Sequence, residues 1–190
     1  MREIKPVMRP ALCCNGRRRR RPAMHLPRRF DDTLMLAPDA RGAVDAALLA
    51  ALRAWCEDGA ALAPALRVAS IAPHDGLDAA ACVLDGSQEL ARLGPWRGLG
   101  WRLQILWREQ AAGHGTQPGD PWDCGWWRDG PLGPAEAFRP RRATLLMLRE
   151  PVPAVAAALL ATLHSNSPAY ARPVRVLVVS AAPMPGVPRL

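Results

Sequence analysis

TLLMLREPVPAVAAALLATL, residues 144–163, followed by RVLVVSAAP from Arg175, is the stretch on which the fold turns. Leu145 to Leu148 form a short continuous apolar run, the pattern of a strand buried on both faces. Glu150, Pro151 and Pro153 then suit the start of a helix. A carboxylate favours the positive end of the helix dipole, and proline is tolerated in the first turn. Val155, Leu159, Leu160 and Leu163 recur at helical spacing, and Ser165-Asn166-Ser167-Pro168 ends the run. Val174 to Val179 is the strongest strand signal in the chain, β-branched on both sides of the pleat.

Working outward, the same order of elements occurs upstream. TLMLAPDARGAVDAALLAAL, residues 33–52, aligns without gaps on 144–163 with ten of twenty positions identical at an offset of 111. RVASIAP from Arg67 then answers RVLVVSAAP. Asp39 takes the place of Glu150, Val44, Leu48, Leu49, Leu52 and Trp55 share a helix face, and Gly59 ends it. Two βαβ units, each with a right-handed crossover, predict an α/β (or α+β) layered sandwich. Between them lies a β-containing insert. Ala80–Leu84 is expected as a strand and Ser87–Leu93 as a short helix after Gly86. Trp101–Arg108 alternates Trp101, Leu103, Ile105 and Trp107 against more polar neighbours, the pattern of a half-buried strand.

Charge separates the chain into parts. Of 190 residues, the first 30 hold ten Arg or Lys against Glu3 alone, while the remainder has fifteen bases facing sixteen acids. Residues 1–30 therefore read as a disordered basic tail, 31–183 as a single α/β domain and 184–190 as a flexible C-terminal tail. Met24 follows the Arg17–Arg21 run and is a plausible alternative start, which would leave residues 1–23 outside the protein. Since 24 of the 25 bases are Arg in an Ala-, Gly- and Pro-rich chain, GC-rich coding explains the arginines and disfavours nucleic acid as a partner. An odd set of five cysteines without C-x-x-C spacing argues against disulfides and zinc, with Cys56 and Cys82 expected as small buried hydrophobes. No run of eighteen apolar residues suggests a membrane span, and cytoplasmic location is the expectation.

Glu109–Arg142 reads as a long Trp-rich loop without periodicity. Trp122, Trp126 and Trp127 must either fold back on the body or form a surface for a partner, rimmed by Arg128. The same loop holds His114, Asp120, Asp123 and Cys124, residue types of a nucleophilic site, although an adjacent Asp raises a thiol pKa instead of activating it. His74, with Asp39 and Glu150, should lie at strand carboxyl ends, where α/β sheets gather ligands. The sequence thus favours a non-enzymatic protein-binding or adaptor domain, with no cofactor or metal, using the Trp-rich loop and residues 101–108. The alternatives are a small-molecule enzyme built on His74 or His114 (with Asp123 and Cys124 in the same set), and nucleic-acid binding through the arginine tail.

Overall fold

A computed structural model describes residues 34–39, 41–58, 66–110, 116–128, 133–140 and 142–190. The basic tail, Gly59 and His114 lie outside these residues. In chain order the elements are β1 (Met35–Leu36), α1 (Ala46–Glu57), β2 (Leu66–Ile71), α2 (Leu77–Leu84), α3 (Ser87–Arg92) and α4 (Pro95–Gln110). Then come β3 (Asp123–Trp127), α5 (Gly133–Glu136), β4 (Thr144–Arg149), α6 (Pro153–Asn166) and β5 (Val174–Val179). The strands form one mixed sheet in the order β1-β3-β4-β5-β2, with β1 antiparallel to β3 and the other four parallel.

The expected strand–helix–strand unit at β4-α6-β5 is present. β4 and β5 are parallel neighbours from Thr144↔Val174 to Arg149↔Val179, and all six residues of β5 are buried. Pleating sorts the side chains between two cores. Leu145, Met147, Leu177 and Val179 pack with Leu48, Leu52 and Cys56 of α1 and Leu77, Ala80, Ala81 and Leu84 of α2. Leu146, Leu148, Val176 and Val178 pack on the other face with Ala135 of α5, Phe138, and Leu159 and Leu163 of α6. Helices therefore cover both faces of the sheet. Cys56, Cys82 and Cys124 are buried and are not in disulfides.

The upstream unit departs from expectation. β1 pairs antiparallel with β3 at one edge (Met35↔Trp127, Leu36↔Trp126), while β2 lies at the opposite edge beside β5. The run at 34–36 is too short for a doubly buried strand, and Leu36 is already 47% exposed. Close contact of β1 with β3 depends on Gly125: a Cβ there would stand 2.7 Å from Met35 Cε and 3.0 Å from the Leu36 carbonyl oxygen. Asp39 does not start a helix. It faces Arg41 at 3.2 Å on the surface, and Asp45 caps α1 instead, accepting from the Ala47 and Leu48 N–H groups at 2.9 and 3.2 Å.

The insert is helical where strands were expected. Ala80–Leu84 belongs to α2, a helix buried nearly all round, for which a continuous apolar run is as good a signal as for a strand. α3 matches the expected helix at 87–93, starting after Gly86 at φ 73°. A Cβ on Gly86 would meet the Trp101 ring at 2.7 Å, so this turn and α4 are packed together. Residues 101–108 lie within α4. The stretch 109–142 is not a single loop either, since β3 and α5 form inside it. Within residues 184–190, expected as a flexible tail, the last three meet β2 at Ser70, whose N–H donates to the Pro188 carbonyl and whose carbonyl accepts from Leu190 N–H, each at 2.8 Å. Among the described residues no helix is long and apolar enough to cross a membrane.

Candidate functional site

The sheet topology opens a cleft at the carboxyl ends of the parallel strands. The chain leaves β2 through α2 on one face and leaves β4 through α6 on the other. Such a divergence separates the loops above β2 and β4, the two strands that flank β5, and ligands of α/β sheets bind where connections part in this way. A cavity of about 380 Å³ lies there, lined by His74, Asp78, Trp126, Arg149 and Glu150 among others.

Each of these polar groups is engaged by its own chain. Gly76 N–H donates to His74 Nδ1 at 3.0 Å, which places the ring proton on Nε2, 3.3 Å from Asp45 Oδ2. Both imidazole nitrogens are thus committed to a turn and a helix cap, and neither is presented to the cleft as a base. Trp126 Nε1–H donates to Asp78. Arg149 stacks over the Trp126 ring at 4.3 Å and stands 3.8 Å from Asp78. Glu150 holds a left-handed φ of 39°, a strained state for a non-glycine residue. Its carboxylate accepts from Ala181 N–H at 3.0 Å and from the Ser180 hydroxyl at 3.3 Å, which ties the β4–α6 turn to the end of β5.

Asp45 links cleft and helix. The Leu48 and then the Ala47 N–H groups hold its carboxyl below the usual carboxylate range, with His74 adding to the effect. A depressed folded value gives stability that is complete above the unfolded value, near pH ~4, and that disappears as pH falls through the folded one. Thermal unfolding midpoints should therefore fall from pH ~5 to ~2.5 more steeply in the wild type than in Asp45→Asn, which keeps a capping oxygen without the titration. Parallel pH profiles would remove the assignment.

The other sequence candidates lie elsewhere. Asp123 opens β3, at the far end of the sheet from the residues that follow β2. There it accepts from Arg142 Nη1 at 3.0 Å in an ion pair with side chains 3% and 5% exposed. Cys124 is buried, and burial, followed by the charges of Asp85 and others, pushes its thiol well above the ordinary range. Cys56 is pushed up to about 12 by the same cause. These are core thiols, not nucleophiles. Asp120 accepts from Gln117 N–H in a surface turn. His74, Asp123 and Cys124 are therefore not brought together. Among the described residues there is no group of three His, Cys, Asp or Glu able to hold a metal ion.

The aromatic surface is also displaced. Trp122 and Trp126 are 0% and 8% exposed, Trp127 packs against the second core, and of this set Arg128 alone is exposed. The exposed aromatics sit on α4, where Trp96, Leu99, Leu103 and Trp107 are 84%, 47%, 57% and 69% exposed. At about 100° per residue these four fall within an arc of ~80° and extend over about 17 Å of helix. Gly98 and Ile105 are buried on the opposite side, with Trp101 turned toward Gly86. α4 is thus apolar on two faces, one of which the described residues bury. The sequence signals for this helix are Pro95 at its first position and the 96-99-103-107 spacing. Against this geometry, no protein-family model, curated protein or solved structure matches the chain.

Proposed function

We propose that this chain is a non-enzymatic protein-binding module whose contact surface is the outer face of α4. One observation carries the reading: Trp96, Leu99, Leu103 and Trp107 form a continuous exposed stripe on a helix whose inner face is already packed. A helix apolar on two sides is the pattern of an element buried between two layers, and here the described residues supply one layer. The commitment of His74, Asp78 and Glu150 to internal partners speaks for binding over catalysis. A second reading, a small-molecule site in the cleft, is favoured by its position between diverging connections and by its volume of about 380 Å³.

The two readings separate on Trp96→Ser/Trp107→Ser. Both side chains are exposed, so stability should change by no more than about 0.5 kcal/mol per site. Crosslinking in native cells should give protein adducts of the wild type that disappear in the double variant. Adducts that survive unchanged would remove α4 as the surface.

A further inference from the structure

Resting on the cleft reading, we infer that the cavity beyond β2 and β4 takes a small organic cation, a planar guanidinium or amidinium on an apolar body. The chain's own Arg149 demonstrates the fit. Its guanidinium carbon stands 4.3 Å from the centroid of the Trp126 ring, and its Nη2 lies 3.8 Å from Asp78 Oδ2. The other Asp78 oxygen accepts from Trp126 Nε1–H, so the indole fixes the carboxylate beside its own face. An aromatic face with a carboxylate at its edge suits a planar cation, which stacks on the one and pairs with the other.

Arg149 is a replaceable occupant of this place. Its side chain is 67% exposed, and so open an ion pair holds little. Trp126 is buried and bound to Asp78, so the receiving half stays in position when Arg149 swings out. The charge of the cleft favours the same class of ligand. Among the described residues that line it, Asp75, Asp78 and Glu150 are acids, Arg149 is the basic group, and the His74 ring is committed to Gly76 and Asp45. An anion would meet these carboxylates, whereas a cation in place of Arg149 gains them. Leu77 adds apolar wall beside the indole, which calls for an apolar body on the cation. The volume of about 380 Å³ is near the lower end for ligand pockets, and the ligand is correspondingly small. α4 packs beside Gly86, past the opposite end of α2, so the two surfaces are separate.

The test titrates the full chain with three probes of one shape, benzamidinium, neutral benzamide and benzoate, following the assigned Trp126 indole N–H signal by NMR. Benzamidinium should shift this signal saturably at about millimolar concentration, as fits so small a ligand, and the other two should not. Arg149→Gln, at an exposed side chain, should tighten benzamidinium about threefold by removing the internal competitor. Asp78→Asn keeps an oxygen for the indole N–H and should weaken binding about tenfold through the lost charge. Trp96→Ser/Trp107→Ser should leave it unchanged. Benzoate binding that Arg149→Gln abolishes would overturn the cation and leave the cleft as an anion site. Benzamide binding as tightly as benzamidinium would also overturn the cation. A capped Gly-Arg-Gly peptide bound more tightly than benzamidinium would overturn a free small molecule as its source. No shift from any probe, in the wild type or in Arg149→Gln, would overturn the cation and the cleft reading together.

Discussion

Trp122→Ala is expected to lower the unfolding free energy by about 3–5 kcal/mol, the range for removing a fully buried large aromatic. Trp122 is 0% exposed and stands one residue before β3, where its N–H donates to the Leu84 carbonyl at 3.1 Å. It thereby joins the start of a strand to the end of α2. Its ring belongs to the core shared by α1, α2 and the sheet, and the Arg175 guanidinium lies 5.7 Å from its centroid. Truncation removes apolar contact and also the aromatic face beside a buried cation. Trp122→Phe should cost less, about 1–2 kcal/mol, because the indole N–H meets no hydrogen-bond acceptor in its buried position. Urea denaturation followed by circular dichroism measures both. A loss below about 1 kcal/mol for the alanine variant would contradict the role given to this ring.

The adjacent residue gives the second large effect, by a different mechanism. Asp123→Ala should cost about 3–5 kcal/mol, because it leaves the Arg142 charge buried without its carboxylate. The pair bridges the start of β3 to the residues that lead into β4, where Asp123 N–H also donates to the Ala143 carbonyl at 2.8 Å. Replacing both partners, Asp123→Leu with Arg142→Met, should recover most of the loss, since an apolar pair avoids desolvating two charges. Chemical denaturation of the single and double variants forms the cycle. A double variant as unstable as Asp123→Ala would show that the carboxylate serves the strand and not the arginine.

These two residues also show what the sequence conveyed and what it concealed. β5 and α6 were legible because their signals are local: β-branched residues on both sides of a strand, and leucines at 159 and 163 behind Pro153. β3 was not, because DCGWW is short, lacks alternation and becomes a strand through pairing with β4, some twenty residues away. The partners of β1 and β2 are likewise non-local, so the resemblance of 33–52 to 144–163 did not extend to topology. α4 misled for a sharper reason. A helix apolar on two faces contains both periods, so Trp101, Leu103, Ile105 and Trp107 alternate like a strand while Trp96, Leu99, Leu103 and Trp107 follow a helical stripe. The same double apolarity marks the candidate surface, which therefore appeared in the sequence as the wrong element. The Trp-rich segment was a core strand for a complementary reason: large aromatics near a short central strand gain more from burial than from display.

The rims of the sheet carry one more consequence. On one side the sheet ends in β1, only two residues long; on the other, Pro188 and Leu190 occupy the backbone groups of Ser70 on β2. Extended peptides dock on open strand edges, and fibrils propagate by the same templating. This chain keeps one such edge to two residues and, at Ser70, caps the other with its own backbone. A strand arriving at β2 would have to displace Pro188 and Leu190 before it could pair past Ser70.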